Sequence, residues 1–190
     1  MLYHASCVSG LKILEPHVST HKIPYVYAIR SKLTAMLFGA PKDDFDLLVD
    51  VENAKPVLYE CYPDALKKVY SGKSCSMYTV EETGFLKGVT GWDEELVCPS
   101  PVHVVREEKI EDIYVQLMRA FQEKKCIIHF FEQDEAFQAF IREELQERIQ
   151  AFGFTEEYMM HDLCSIINSC CRIDKQRRIE KGFFIGGQQQ

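Results

Sequence analysis

The hydrophobic pattern of the chain changes character near residue 109. Before this point, short apolar or alternating runs are separated by turn residues, a pattern typical of β-strands. The runs are MLYHASC, PYVYAI, FDLLVDV, KPVLYECY, CSMYTV and ELVCPSPVHVV. After it, apolar residues recur mainly at helical spacing. The sequence therefore predicts an α+β protein with a strand-rich core over residues 1–108. A helical C-terminal extension, residues 109–190, is expected to pack on that core.

Two short helices are predicted within the strand-rich part. SKLTAMLFGA follows the second strand, and Ser31 is placed to cap its start while Gly39 is placed to end it. PDALKKVY carries Pro63 where a first helical turn tolerates proline.

Three longer helices are predicted in the extension. KIEDIYVQLMRAFQEK aligns apolar residues on one face, namely Ile110, Ile113, Leu117 and Phe121. DEAFQAFIREELQERIQAF is an amphipathic pattern that Gly153 ends, and a third helix is expected from about Thr155 to Arg178. The apolar run CIIHFF between them fits a strand or a buried turn, and its periodicity does not decide between these.

Composition excludes several functional classes. The 190 residues are 46% hydrophobic and 27% charged, as in ordinary soluble globular proteins. The formal net charge of -7 disfavours nucleic acid as a partner, although Lys22, Arg30 and Lys32 lie close together in sequence. Neither a signal-peptide pattern nor a membrane-spanning apolar run is found. We expect a cytoplasmic protein without a membrane partner.

Eight cysteines are many for this length, and without an export signal they are expected to be reduced thiols. His161, Cys164, Cys170 and Cys171 lie close in sequence, but their spacing fits no zinc motif. The surrounding segment EEYMMHDLCSIINSCC has helical apolar periodicity, and cysteine packs as a small hydrophobic residue. We therefore predict no metal.

Catalysis by a cysteine is also disfavoured. Cys7 is close to His4 in sequence, but strand residues three positions apart point to opposite faces. No other thiol has an evident histidine partner.

Three dispersed elements carry a family resemblance. The first strand contains Tyr3-His4-Ala5-Ser6, the second contains Tyr27, and Phe38 lies 38 − 27 = 11 positions further on. Glu95-Leu96-Val97 opens a later strand. This order resembles the ADP-ribosyltransferase superfamily, in the His-Tyr-Glu branch of poly-ADP-ribose polymerases and diphtheria-type toxins. The following Pro-Val-His-Val-Val also resembles small bacterial relatives that modify antibiotics.

The resemblance implies a split antiparallel sheet and a glycosyltransferase-class activity with NAD as substrate. It implies a catalytic set of Glu95, His4 and Tyr27. Glu95 would stabilise the positive charge that develops on the ribose ring, and Tyr27 and Phe38 would stack on the nicotinamide. His4 would donate a hydrogen bond to the adenosine ribose. The backbone of Ala5 would pair with the carboxamide, and Ser6 would support that pocket.

Two assignments remain open at this level. Neighbouring strand residues face opposite sides, so the sequence does not decide between Glu94 and Glu95 as the inward carboxylate. The family's glycine after the histidine is Ala5 here, and the second aromatic, Phe38, lacks a hydroxyl. The acceptor is expected to be a protein or a small molecule rather than nucleic acid.

The alternative is a catalytically inactive protein of the same fold, with residues 109–178 as its interaction surface. A cleft filled by Phe130, Phe131 or the Phe183–Phe184 pair would favour it. In a third interpretation the matches are accidental: Phe38 is then ordinary helix core, and His4 and Glu95 lie far apart.

Overall fold

The computed structural model describes residues 1–18, 23–42, 45–53, 55–132 and 134–152. Within them the chain is a mixed α+β protein that forms mostly antiparallel sheet. It divides into two compact units, the first made of residues 1–42 and 70–120 and the second of residues 43–69 and the described residues from 121.

The first unit contains eight of the strands, one complete helix and most of a second helix. Its strands are β1 (Leu2–Ser6), β2 (Ile13–Leu14), β3 (His17–Val18), β4 (Pro24–Ile29), β7 (Cys75–Val80), β8 (Leu86–Lys87), β9 (Glu95–Cys98) and β10 (Val102–Ile110). The complete helix is α1 (Lys32–Met36), and the other is α3 (Ile113–Gln122), whose last two residues belong to the second unit.

The second unit contains β5 (Leu47–Glu52), β6 (Lys55–Glu60), β11 (Ile127–His129) and α4 (Glu135–Phe152). Helix α2 (Ala65–Tyr70) lies at the border between the units in sequence.

The sheet of the first unit has the order β2-β10-β7-β1-β4-β9-β8, with β3 paired to β4. One face carries a continuous apolar core that draws side chains from most of these strands. Its buried members are Leu2, Leu14, Val26, Ala28, Tyr78, Val80, Leu96, Cys98 and Val102. These residues alternate along β4, β7 and β9, so that they project from one face of the sheet.

Helix α1 covers the other face of β1, β4 and β7. Ser31 caps it as predicted, because its hydroxyl accepts a hydrogen bond from the amide of Thr34 at 3.2 Å. Gly39 follows the helix for a different reason from the one expected. A Cβ atom at this position would lie 2.5 Å from the Sγ atom of Cys75, so close packing requires glycine here.

The prediction that Ile110 belongs to the helical face of the following segment is wrong. Ile110 is the last residue of β10, where it pairs with Cys75. The side chain of Asp112 accepts a hydrogen bond from the Val115 amide and so caps α3, which begins at Ile113. Ile113 and Leu117 are buried on α3, as expected.

In the second unit, β6 pairs with β5 in antiparallel fashion and with β11 in parallel fashion. The run CIIHFF therefore contains a strand rather than a turn alone. Helix α4 places Ile141, Leu145 and Ile149 on one buried face against Phe45, Leu48 and Cys61. This confirms the amphipathic helix predicted from DEAFQAFIREELQERIQAF.

The two units are each made of separate stretches of the chain, with borders after residues 42, 69 and 120, and the predicted division at residue 108 stays a prediction. Strand β10 continues to Ile110 along β7, and the Ile113 amide donates to the Lys73 carbonyl at 2.8 Å, so α3 belongs mainly with the first unit. The third helix expected from about Thr155 lies outside the described residues. Among the described residues, no helix combines the length and apolar character needed to cross a bilayer.

Candidate functional site

The strands that carry the three motif elements are neighbours in the sheet. The order is β1, β4 and β9, so the histidine, tyrosine and glutamate strands lie side by side. Tyr3 is paired with Ile29, and Ile29 is paired with Glu95. His4 and Glu95 are about 90 residues apart in sequence, but their strands are separated in the sheet by β4 alone.

His4 is held by the tyrosine strand. Its Nδ1 atom lies 2.8 Å from the backbone oxygen of Tyr27. Burial lowers the pKa of His4, with a further lowering from His17, while the bond to the Tyr27 oxygen acts in the opposite direction. The ring is therefore neutral near pH 7, and because a carbonyl oxygen only accepts, Nδ1 carries the proton. The Nε2 atom is then a hydrogen-bond acceptor.

The side chains of the motif do not all share one face. Paired residues in a ladder lie on the same face, so Tyr3, Ile29 and Glu95 form one row. Tyr27, two residues before Ile29, follows the same face. His4 is adjacent to Tyr3 and pairs with Tyr78, so its side chain starts from the opposite face and reaches the Tyr27 backbone from there.

Ala5 and Ser6 continue β1 and are both buried. Ala5 pairs with Met77 and Ser6 with Ser76 on the neighbouring strand. The Ser6 hydroxyl accepts a hydrogen bond from the Val8 amide at 3.0 Å. This bond fixes the turn by which the chain leaves β1.

Phe38 is 41% exposed and is therefore not the helix-core residue that its spacing also allowed. Its ring lies 6.0 Å from that of Trp92, at an interplanar angle of 47°, and Lys42 Nζ lies 5.3 Å from its centroid. The ring of Tyr27 packs edge-on against Tyr25, with centroids 6.1 Å apart.

Trp92 is a residue that the sequence reasoning did not select. The amide of Glu95 donates to the Trp92 carbonyl at 3.1 Å, so one turn connects the indole to the start of β9. Trp92 is the sole tryptophan of the chain and lies three residues before Glu95. These two facts are the sequence signal that could have identified it.

A second carboxylate lies on the His4 face. His4 pairs with Tyr78, and Tyr78 pairs with Glu107 on the next strand. Glu107 Oε1 accepts bonds from the Gly10 amide at 2.9 Å and the Ser76 hydroxyl at 2.8 Å, and lies 3.2 Å from the Tyr78 hydroxyl. The Gly10 amide is the largest cause that lowers the pKa of Glu107, followed by Ser76. Glu107 is thus ionised near neutral pH.

Glu107 was not selected from the sequence, since it stands in the charged run REEK, which is typical of a solvated surface. The hydrogen bonds that Glu107 accepts depend on the pairing of β10 with β7, which is a contact between residues far apart in sequence.

The aromatic residues that would fill a cleft in the inactive alternative have partners inside the second unit. Phe130 packs against Phe121 and Phe131 against Phe137. The Phe183–Phe184 pair lies outside the described residues, as do the histidine and cysteines between 161 and 171. Within the part of the chain that is described, no group of His, Cys, Asp and Glu side chains is arranged to hold a metal ion.

No protein-family model, no curated protein and no solved structure matches this chain.

Proposed function

We propose that this protein cleaves the bond between nicotinamide and ribose in NAD and transfers the ADP-ribose to an acceptor or to water. The observation that carries the proposal is the adjacency of β1, β4 and β9, which brings together strands bearing His4, Tyr27 and Glu95 from distant parts of the chain. The fold class, an α+β protein with a mostly antiparallel sheet, is compatible with it.

Glu95 is the proposed carboxylate of the reaction. Loss of nicotinamide leaves positive charge on the ribose, as in other oxocarbenium-like transition states. A fixed carboxylate beside the ribose stabilises that charge as it develops. Glu95 is half-buried at the start of β9, where a ladder pair with Ile29 fixes its backbone.

His4 is the proposed orienting residue for the adenosine ribose. Its bond to the Tyr27 oxygen fixes the ring and leaves Nε2 as an acceptor. The hydrogen bond would therefore run from a ribose hydroxyl to His4, opposite to the direction expected from the sequence. In this role His4 binds substrate without acting as an acid or a base.

Phe38 and Trp92 support a site for a flat ring. The exposed ring of Phe38 contacts the half-buried ring of Trp92, and the turn after Trp92 leads directly to Glu95. Stacking of nicotinamide on aromatic side chains is the contact this chemistry needs. We propose that Trp92 and Phe38 contribute to nicotinamide binding together with Tyr27.

A second candidate function is a non-catalytic NAD-binding or interaction protein. It is favoured by the alternation of β1, since His4 starts from the opposite face to Tyr27 and Glu95. The replacement of the motif glycine by Ala5 points in the same direction, because its methyl group crowds the position where the carboxamide would lie.

The experiment that tests the proposal is incubation of the pure protein with millimolar NAD, with nicotinamide release followed by mass spectrometry. Quenching of the single tryptophan and thermal stabilisation are measured in parallel. We expect release, quenching and stabilisation in the native protein. In Glu95→Gln we expect release to be lost while quenching and stabilisation remain.

Glu94→Gln is the matched control, because it removes the same charge one residue earlier and should retain release. Loss of release in this variant instead would assign the carboxylate to Glu94. Stabilisation without release, with and without candidate acceptors, would support the binding function. Neither stabilisation nor quenching at millimolar NAD would contradict both.

A further inference from the structure

Two cysteines lie at the same end of the β1–β7 ladder. The pairing runs without interruption from Leu2 opposite Val80 to Ser6 opposite Ser76. Cys7 follows Ser6, and Cys75, the first residue of β7, precedes Ser76, so continuing the same register by one step would bring the two cysteines opposite each other. Directly opposed residues of antiparallel strands have Cα atoms about 4.5–5.5 Å apart. That separation lies within the range that a disulfide spans.

The two thiols have unlike environments. Cys7 is exposed in the bend after β1, whereas Cys75 is 3% exposed and its Sγ packs in the space left by Gly39. An oxidant in solution therefore reaches Cys7 first. Burial, and then the charge of Cys7, raises the pKa of Cys75 to about 11, which is a separate sign that the two sulfurs are close.

We propose that Cys7 and Cys75 form a dithiol that a peroxide converts into an intrachain disulfide. Peroxide oxidises the Cys7 thiol to a sulfenic acid and is reduced to water. The Cys75 thiolate then attacks the Cys7 sulfur, the S–S bond forms, and the hydroxyl group leaves with a proton as a second water. In total, two thiols and one peroxide give one disulfide and two waters.

The cross-link would join the end of β1 to the start of β7, next to Ser6 and Ser76. It would add a covalent bond just beyond the last pair of the ladder. The same bond would fix the turn that follows the Tyr3–Ser6 motif. This inference does not depend on the proposed activity toward NAD.

The test is peroxide treatment of the dilute full-length chain, followed by thiol blocking, tryptic digestion and mass spectrometry without reduction. Cys7 and Cys75 fall in separate tryptic fragments, residues 1–12 and 74–87, and each fragment has one cysteine. We expect a joined pair of these fragments whose mass is two hydrogens below their sum. Reduction should return the separate fragments.

Cys7→Ser is the informative variant, because the site is exposed and the substitution should not disturb folding. We expect Cys75 to remain a thiol in this variant under the same treatment. Cys98→Ala, which removes another buried thiol, is the matched control and should retain the joined pair.

The rate of closure provides a second measurement. Cys75 reacts as its thiolate. At pH values below the Cys75 pKa, the rate at which the disulfide forms after oxidation of Cys7 should therefore rise about tenfold for each unit of pH. Conversion of Cys7 to a sulfinic acid with Cys75 unmodified would overturn the proposal. So would cross-linking of Cys7 to a different cysteine, or to Cys7 of a second molecule.

Discussion

Two carboxylates, Glu60 in the second unit and Glu107 in the first, are held by backbone amides, but their pKa values are shifted in opposite directions. Glu60 is 3% exposed; its Oε1 accepts from the Leu66 amide at 2.9 Å and its Oε2 from the Phe131 amide at 3.1 Å. Glu107 lies at the partly exposed end of a network in which one oxygen receives the bonds from Gly10 and Ser76.

The difference in pKa follows from burial. Burial raises the pKa of Glu60, and the two amide bonds that favour its charged form offset this only in part. Hydrogen bonds dominate at Glu107, so its pKa is lowered. Similar hydrogen-bond donors therefore accompany opposite pKa shifts, because Glu60 is desolvated by burial whereas Glu107 remains partly exposed to solvent.

Glu60 is a carboxylate with a structural role, whereas Glu107 is one that remains accessible. Both oxygens of Glu60 accept hydrogen bonds from backbone amides, joining the end of β6 to the start of α2 and to the second residue after β11. Glu107 is bonded through Oε1, and it holds the loop that follows the Tyr3–Ser6 motif.

Glu60→Ala should produce the largest effect on stability. The substitution leaves the Leu66 and Phe131 amides without their acceptor. Each unsatisfied buried donor costs about 1–3 kcal/mol, so we expect a loss of about 2–4 kcal/mol in the free energy of unfolding. Urea denaturation measures it. Glu107→Ala is the control, and an equal loss there would remove the distinction between the two carboxylates.

Tyr78→Phe should have the next largest effect. The buried Tyr78 hydroxyl donates to the Val8 oxygen at 2.7 Å and accepts from the Leu11 amide at 3.2 Å. Its removal frees the loop after β1, and we expect a loss of about 1–2 kcal/mol. Amide exchange at Leu11 should accelerate. Tyr3→Phe, on the opposite face of β1, is the matched control; if both variants lose the same stability, the loop contacts are not the cause.

The sequence predicted much of this framework where the signal was local. The strands PYVYAI and CSMYTV, the Ser31 cap and the apolar stripe of α4 all depend on residues close in sequence, and the structure contains each of them. Local pattern failed at Ile110, where long-range pairing with β7 extends a strand into an apparently helical stripe.

The candidate site was predicted less completely. The resemblance implied that His4, Tyr27 and Glu95 form one site, which stays a prediction; the structure places their strands β1, β4 and β9 side by side. The face to which His4 turns depends on its pairing with Tyr78, which sequence spacing does not encode. Trp92 and Glu107 were missed because their partners, Phe38 and Gly10, are remote in sequence.

The two carboxylates should give pH dependences of stability with opposite signs. The raised pKa of Glu60 means that its contribution is fully present below the ordinary value of 4.5 and is lost as the pH rises through the folded-state pKa. The lowered pKa of Glu107 means that its contribution is present above 4.5 and is lost as the pH falls through the folded-state pKa.

The measurement compares the native protein with Glu60→Gln and with Glu107→Gln by urea denaturation across the acidic and neutral range. The stability difference from Glu60→Gln should decrease with rising pH, and that from Glu107→Gln should decrease with falling pH. Slopes of the same sign would show that burial does not distinguish the two sites.

Ser76→Ala should have the smallest effect, confined to one titration. The variant removes the 2.8 Å bond to Glu107, one of the causes of its lowered pKa, while the Gly10 amide remains. The Glu107 pKa, followed by carboxyl carbon NMR, should therefore rise toward its ordinary value without reaching it. Thr79→Ala is the control, because it removes a hydroxyl three residues further along β7, from a side chain that faces the other side of the sheet. If Ser76→Ala leaves the titration where Thr79→Ala leaves it, the Gly10 amide and the Tyr78 hydroxyl alone hold Glu107 ionised. The lowered pKa of Glu107 would then depend on the loop after β1 rather than on the sheet.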